Sequence, residues 1–485
     1  RIKMKIDAQP KWLSNLESGA ANSLSLNNKR VVEGSSQVLI APPFETVDDD
    51  ELVKKLDAIL SRHSLTSKLR EIEESNQSKL GPRSIAVPWL ERKESLHAYF
   101  GKEDLDPGDL VGPGNGRGRP IDLDRSSKSL IKRSNSGLPY MQRKGNVLSQ
   151  AVSGFSQELG VYPCVLFTRT QEQKKTRNVW GYPISDTMQE QRFFSPWLQY
   201  EKGLAYRSAL SGPETVDSAV TLLLSRLRAD HVIMSVDFEQ FDASIGSEHS
   251  LGAFSFIASW FQSQYRAEIY RMYRRFITIP VYTPEGEVSG PHGVPSGSTW
   301  TNTVDSLVQF YASGVEERDC QIQGDDGLYL VPKSKRDALF DNFEYSGFKI
   351  NKDKSDVFEG PEAVFLQRYY HPDYLSRTGP GLGGVYAISR AFHRLKYLER
   401  WTDFEAEGIS GSDFFSLRAI MILENCKHHP AFEDAVRLAH SLDSSGLKFS
   451  DEGLKAFSRA VEPRARAGVL HTESLEGGLN RFETM

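Results

Sequence analysis

The 485-residue sequence predicts an α+β fold. Short apolar runs of strand length recur along it, and longer segments with helical periodicity lie between them. The two kinds do not alternate strictly, as a parallel βαβ sheet would require. A hydrophobic content of 39% supplies a core without disulfide or metal staples, and the length suits roughly two to four domains.

Taken in order, residues 48–61 carry Leu52, Leu56 and Leu60 at helical spacing behind an acidic start, which suits the positive end of a helix dipole. Residues 106–120 hold Pro107-Gly108 and Gly112-Pro113-Gly114-Asn115-Gly116 and read as loop. Between Asn115 and Asn146, eight Lys or Arg stand against Asp122 and Asp124, a local net charge of +6. Strand-like runs follow at 161–168, 231–236, 321–323 with 328–331, and 348–350. Helices are expected at 215–228, 248–275 and 299–313, then at 389–400, 413–424 and 429–441. Residues beyond Pro463 read as polar tail or loop.

The overall balance of 59 Lys plus Arg against 64 Asp plus Glu gives a net charge of -5, which by itself points away from a polyanionic partner. No run approaches the ~18 apolar residues of a membrane-spanning helix, so no membrane association is expected. The opening Arg1-Ile2-Lys3-Met4-Lys5 lacks the pattern of a secretory signal, and its Arg is not expected to be a native start. Three widely spaced cysteines, Cys164, Cys320 and Cys426, fit a reducing compartment and no zinc site.

Three features carry chemistry. Gln323-Gly324-Asp325-Asp326-Gly327 lies between apolar runs, and Asp-Gly in that setting signals a hairpin. Two adjacent carboxylates at its tip repel each other unless a cation lies between them. Taken alone, the sequence describes a solvated turn more often than a site. The apolar run 231–236 ends on Asp237, with Asp242 five residues on. A strand-terminal acid can face a neighbouring hairpin tip. Asp237, Asp325 and Asp326 would then hold two divalent cations about 3.5–4 Å apart, the clamp for in-line phosphoryl transfer. Magnesium-type ions favour such all-oxygen ligands.

The third feature is the turn Pro295-Ser296-Gly297. Beyond it Trp300, Val304, Leu307 and Tyr311 share one helical face, and Thr301 and Asp305 lie one turn apart on another. This polar stripe suits a ribose or a template backbone. Equally, Ser296 or Ser298 can cap the helix.

The order and spacing of these features resemble the RNA-dependent RNA polymerases of RNA viruses, most closely those of double-stranded RNA viruses of the picobirnavirus and partitivirus type. The resemblance runs from about Ser134 to Tyr370, with 59 residues from Asp237 to Ser296 and 29 from Ser296 to Asp325. Asp326-Gly327 and the run Asn178-Val179-Trp180-Gly181-Tyr182-Pro183 incline it toward picobirnavirus. It implies a right-handed polymerase fold of fingers, palm and helical thumb. Residues 1–190 would form the N-terminal region and fingers, 191–245 and 291–375 the palm, 246–290 a fingers insert, and 376–485 the thumb and tail.

The resemblance also implies roles. Asp237, Asp325 and Asp326 would be catalytic metal ligands, and Lys354 would protonate the departing pyrophosphate. Lys174, Lys175 and Arg177 would contact the triphosphate; if that segment is extended, Lys175 and Arg177 share a face. Asp242, Ser296, Gly297, Thr301, Asn302 and Asp305 would surround the nucleotide. Many relatives carry Asn where this chain has Asp305, so either Asn302 or Asp305 could partner Asp242. Ser136, Gly137, Pro139, Arg169 and Arg368 would contact template or primer RNA, and the basic stretches 266–275 and 390–400 are either RNA contacts or solvated helix faces.

The implied cofactors are two Mg2+ ions, with Mn2+ as the alternative. Implied partners are RNA template and product, ribonucleoside triphosphates and a viral capsid protein, in the virion interior and host cytoplasm. Reverse transcriptases resemble the palm but place a bulky aromatic at the Asp242 position, so an acid there favours RNA synthesis. A non-catalytic RNA-binding or capsid-associated protein on the same fold is the competing class, and the presence of all three acids argues against it.

Overall fold

The computed structural model describes residues 38–466 and 479–485. The C-terminal tail expected beyond Pro463 therefore lies largely outside the described residues, and the helix Asp451–Arg466 runs through its start.

The central sheet has four antiparallel strands in the order Asp356–Phe358, His231–Val236, Asp326–Pro332, Cys320–Gln323. Its two middle strands are apolar on both faces. Val232, Met234 and Val236 join Ile322 and Tyr329 in one core with Phe254, Ile269, Trp300 and Val304. Ile233, Leu328 and Leu330 pack on the other side against Val220, Leu223 and Phe365. Successive side chains of a strand point to opposite faces, so a strand covered on both sides reads as a continuous apolar run. The register pairs Val236 with Gly327 and Gln323 with Asp326. The chain leaving Val236 thus emerges beside the tip of the 320–332 hairpin.

A second sheet, in the order Thr176–Gly181, Cys164–Thr170, Val281–Thr283, Gly286–Val288, carries a hairpin whose turn holds Lys174 and Lys175. A third joins Ala363–Phe365, Arg368–Tyr370 and Val385–Tyr386. The C-terminal helices Ile388–Lys396, Gly411–Glu424, Phe432–Leu442 and Asp451–Arg466 share one core with Leu52 and Leu56 of the helix Asp49–Leu60. Asp48 caps that N-terminal helix through its carboxylate and the Glu51 N–H, 3.1 Å apart. Buried Glu73 accepts from the N–H groups of Ile388 and Ser389 and contacts His429, fastening the helix Ser67–Ser78 to the same layer.

Some expected elements differ. The single helix over 248–275 is two, Ser247–Trp260 and Arg266–Thr278. Between them Phe261 is extended and forms a bridge with Gly118, whose N–H donates to the Trp260 carbonyl at 2.8 Å. The glycine-rich loop makes this contact possible, since a Cβ on Gly116 would lie 2.0 Å from that carbonyl oxygen. The helix expected from 299 starts at Thr301, and neither Ser296 nor Ser298 caps it. The Ser298 hydroxyl donates to buried Glu190 and accepts from the Trp300 N–H at 3.1 Å, just ahead of the helix.

Candidate active site

The catalytic-type hairpin turns at Gly324-Asp325, two residues earlier than the Asp326-Gly327 pair suggested. Gly324 adopts φ +64°, the left-handed region that glycine enters without strain, at the first loop position. Gly327 lies inside the strand, where a Cβ would fall 1.9 Å from Gln309 Oε1.

The helix Thr301–Ser313 holds this turn with its polar side. Ser306 Oγ accepts from the Gly324 N–H at 2.9 Å, and Gln309 Nε2 donates to the Gly324 carbonyl at 2.8 Å. Tyr329 completes the set by donating to Gln309 Oε1 at 2.7 Å. Behind the turn lies Arg207, wholly buried. It donates to Glu201 at 3.0 Å, the Ile322 carbonyl at 2.9 Å, and Gln323 and Asn302 at 2.6 Å each. One guanidinium thereby joins the end of the helix Ile184–Glu201, the strand leading to the turn, and the start of the supporting helix.

Asp237 stands across from the turn. Its N–H donates to Ser355 Oγ at 3.0 Å and its carbonyl accepts from the Asn351 N–H at 2.8 Å, so the segment bearing Lys354 is pinned beside it. Burial and mutual repulsion hold the acids above the usual carboxylate range. Asp326 is pushed up to about 8 by burial, then by Asp325 and Asp237. Asp325 is exposed at the tip of the turn, yet the surrounding protein, Asp242 and Asp237 push it up to about 6. Asp237 is also raised, by burial, against the pull of Lys354, Lys175 and Arg177. Among the described residues no three His, Cys, Asp or Glu side chains close into a ready-made metal cage. The three acids form an open, oxygen-only cluster with unsatisfied negative charge, and that donor chemistry fits a hard divalent cation.

Beside them lies a second acidic pair. Ser296 Oγ donates to Asp242 Oδ2 at 2.5 Å, and Val294 N–H donates to the Asp242 carbonyl at 2.8 Å. Asp305 is buried and hydrogen-bonded to Asp242, and burial followed by Asp242 raises its carboxyl well above the ordinary range. A carboxyl–carboxylate pair needs one shared proton, so Asp305 donates as an asparagine amide would. Asp305 is thus the partner of Asp242, while Asn302 is taken by Arg207. Gly297 is required by close approach, since a Cβ there would lie 1.9 Å from the Trp180 carbonyl oxygen. Thr301 Oγ1 donates to the Pro295 carbonyl at 3.0 Å and closes the turn.

The other expected residues divide. Lys175, Arg177 and Lys354 lie within the field of Asp237, whereas Lys174 sits in the preceding turn with φ +57°. Ser136 and Gly137 are buried against the second sheet. Ser136 Oγ accepts from the Gln142 N–H at 3.1 Å, and a Cβ on Gly137 would meet the Tyr182 carbonyl oxygen at 2.4 Å. Pro139 lies in the same packed loop. Arg169 pairs with Glu399 at 3.0 Å, and buried Arg368 donates to Asn425 at 2.8 Å. Both thus face the C-terminal helices.

Sequence reasoning missed Arg207, Gln309 and Tyr99, whose hydroxyl lies 3.5 Å from Ser296 Oγ. Asn302, Ser306 and Gln309 recur at helical spacing in an otherwise apolar helix, a signal that was available. Arg207 and Tyr99 have none, because their partners are distant in the chain.

Strands, turn and acid constellation together define a template-directed polymerase. The family described as "Viral RNA-dependent RNA polymerase" matches residues 136–381, half of the chain, and the chain belongs to that family, with RNA-directed RNA polymerase activity. It is 26% identical over 446 residues to the "Potential RNA-dependent RNA polymerase" of Human picobirnavirus (strain Human/Thailand/Hy005102/-), covering 83% of this chain and 82% of that one. To the "RNA-directed RNA polymerase" of Cryptosporidium parvum virus 1 (strain KSU-1) it is 23% identical over 48% of this chain and 51% of the relative. The crystal structure of the RNA-dependent RNA polymerase of a human picobirnavirus superposes with a TM-score of 0.74 at 24% identity, covering 93% of each chain. Its insertion-loop deletion mutant gives the same TM-score. The fold is the right-handed polymerase fold. As a polymerase it binds RNA and nucleotides, and among the described residues no helix is long and apolar enough to cross a membrane.

Proposed function

We propose that this polymerase replicates and transcribes a viral RNA genome by ribonucleotidyl transfer assisted by two divalent metal ions. The observation that carries the reading is the strand register, which sets Asp237 beside Asp325 and Asp326 with Lys175, Arg177 and Lys354 in their field. Asp237, Asp325 and Asp326 would hold the ions, magnesium first and manganese as the alternative. Such ions would supply activation of the primer 3′-hydroxyl and neutralisation of the triphosphate charge.

The protein's own groups supply the rest. Lys175 and Arg177 draw the triphosphate toward the acids and offset its charge. The Asp242–Asp305 pair, oriented by Ser296, accepts a hydrogen bond from the ribose hydroxyl. Lys354 gives a proton to the pyrophosphate oxygen as the bond to the α-phosphate breaks. Residues 1–190 would supply the N-terminal region and fingers, 246–290 a fingers insert, 191–245 and 291–375 the palm, and 376–485 the thumb and tail. We place the work in the virion interior and host cytoplasm, alongside a capsid protein.

Primer extension on an RNA template with ribonucleotides or deoxyribonucleotides tests the reading, and failure to incorporate ribonucleotides with either metal would sink it. Two variants probe the roles. Asp242→Ala should lower the preference for ribonucleotides by about 10–100-fold, seen in the ratio of kcat/KM values. Lys354→Leu should slow single-turnover incorporation by about 10²-fold and lose its solvent isotope effect, and unchanged kinetics would remove Lys354 from proton transfer.

A further inference from the structure

Glu190 sits in the helix Ile184–Glu201, faces inward and is only 5% exposed. Among the described residues no Lys, Arg or His lies within salt-bridge distance, 4.0 Å, of its carboxylate. Arg275, on the helix Arg266–Thr278, pairs with Asp186 at 2.9 Å instead. Cys164 of the second sheet and Tyr182, just beyond the strand Thr176–Gly181, border the same cluster. A buried acid without a cation is costly, and an apolar side chain of similar volume would fill this place without that penalty.

Both oxygens of the acid serve one turn. Oε2 accepts from Ser298 Oγ at 2.5 Å, and Oε1 accepts from the Thr299 N–H at 3.1 Å. Ser298 Oγ accepts in turn from the Trp300 N–H at 3.1 Å, where the chain enters the helix Thr301–Ser313. The other anchor of this turn is backbone. The Trp180 N–H donates to the Ser296 carbonyl at 3.4 Å, and a Cβ on Gly297 would lie 1.9 Å from the Trp180 carbonyl oxygen. Trp180 and Glu190 thus fix the stretch 296–299 from one short segment of chain. Ser296 carries that constraint onward, because its hydroxyl is bonded to Asp242.

We propose that Glu190 is a positioning residue for ribose selection, holding the 296–299 turn so that Ser296 keeps Asp242 aimed at the nucleotide. The inference rests on the polymerase reading, in which Asp242 accepts a hydrogen bond from the ribose hydroxyl. Glu190 acts at one remove, through two hydrogen bonds and a serine. A misplacement of about 1 Å in a group that positions substrate can cost about 10²-fold in rate. Burial, joined by Asp186 and opposed by the bonds from Ser298 and Thr299, pushes the Glu190 carboxyl up to about 8. The neutral carboxyl is therefore populated near pH 7, donating to Ser298 Oγ while still accepting from Thr299. An amide reproduces that pattern.

The test compares kcat/KM for ATP and for dATP in primer extension by the full chain on one RNA template. Glu190→Leu keeps the volume and removes both acceptors, and it should lower the ATP-to-dATP ratio about tenfold. Glu190→Gln should keep the ratio within about threefold of the unaltered protein. In an Asp242→Ala background Glu190→Leu should lower it no further, because its route ends at that acid. Each ratio is taken on one preparation, so a loss of folded protein cancels. An unchanged ratio in Glu190→Leu overturns the proposal. So does an equal fall in Glu190→Gln, or a full further fall in the Asp242→Ala background. Where Glu190→Leu yields no folded enzyme, Ser298→Ala decides alone: a fall of about threefold or more supports the proposal, and an unchanged ratio overturns it. Failure of the unaltered protein to incorporate ATP would instead strike the polymerase reading, before any ratio is read.

Discussion

Asp325→Ala should abolish nucleotide incorporation, by about 10³-fold or more, while fold and RNA binding persist. Loss of a metal-holding carboxylate removes several kcal/mol of transition-state stabilisation, and each 1.4 kcal/mol is about tenfold in rate. Asp325 sits at the tip of its turn, and its side chain supports no packing that a methyl group would break. A primer-extension gel with parallel RNA-binding and melting curves separates the outcomes; retained turnover would falsify the assignment.

The same acids set a pH dependence. In metal-free protein Asp326 and Asp325 titrate near 8 and 6, above the ordinary value of about 3.9 for an unfolded chain. Between those limits the folded state binds more protons than the unfolded one. Their contribution is therefore fully present below about pH 4 and is lost as pH rises through about 6 and then about 8. The melting temperature of metal-free protein should show this loss, Asp326→Asn should reduce it, and magnesium should offset it most at the alkaline end.

Arg207→Met should be the most destabilising change at the site, costing about 3–5 kcal/mol, because it leaves Glu201 charged and wholly buried. Denaturant unfolding measures it. Adding Glu201→Gln should recover part of the loss, since the amide carries no charge and its oxygen can still accept from Trp197 and Thr303. Activity should not recover, because the strand into the catalytic turn loses the bonds at Ile322 and Gln323. Full recovery of both would show that Arg207 serves stability alone.

Much of this was legible in the chain. The apolar run ending on Asp237 announces a strand covered on both faces, and the hairpin and the polar stripe of the 301–313 helix announce their neighbours. Local rules failed where distant backbone intervened. The 248–275 helix breaks because Phe261 pairs with Gly118, and the helix expected from 299 starts at Thr301, with Ser298 held between the Glu190 carboxylate and the Trp300 N–H ahead of it. The choice between Asn302 and Asp305 was undecidable without Arg207, which lies 95 residues before Asn302. Ser136 and Gly137 show the converse. Their motif is visible in sequence, while their burial against Tyr182 is not.

The shared core of the helix Asp49–Leu60 and the C-terminal helices has a consequence for synthesis on the ribosome. The Leu52 and Leu56 face waits for partners as late as Phe457, and the backbone pairing of Ala41 with Lys396 and of Leu39 with Leu398 waits with it. Contacts so distant along the chain close slowly and late. Through most of translation this apolar face lacks the cover of the C-terminal helices, so the nascent polypeptide carries exposed apolar surface until those helices emerge.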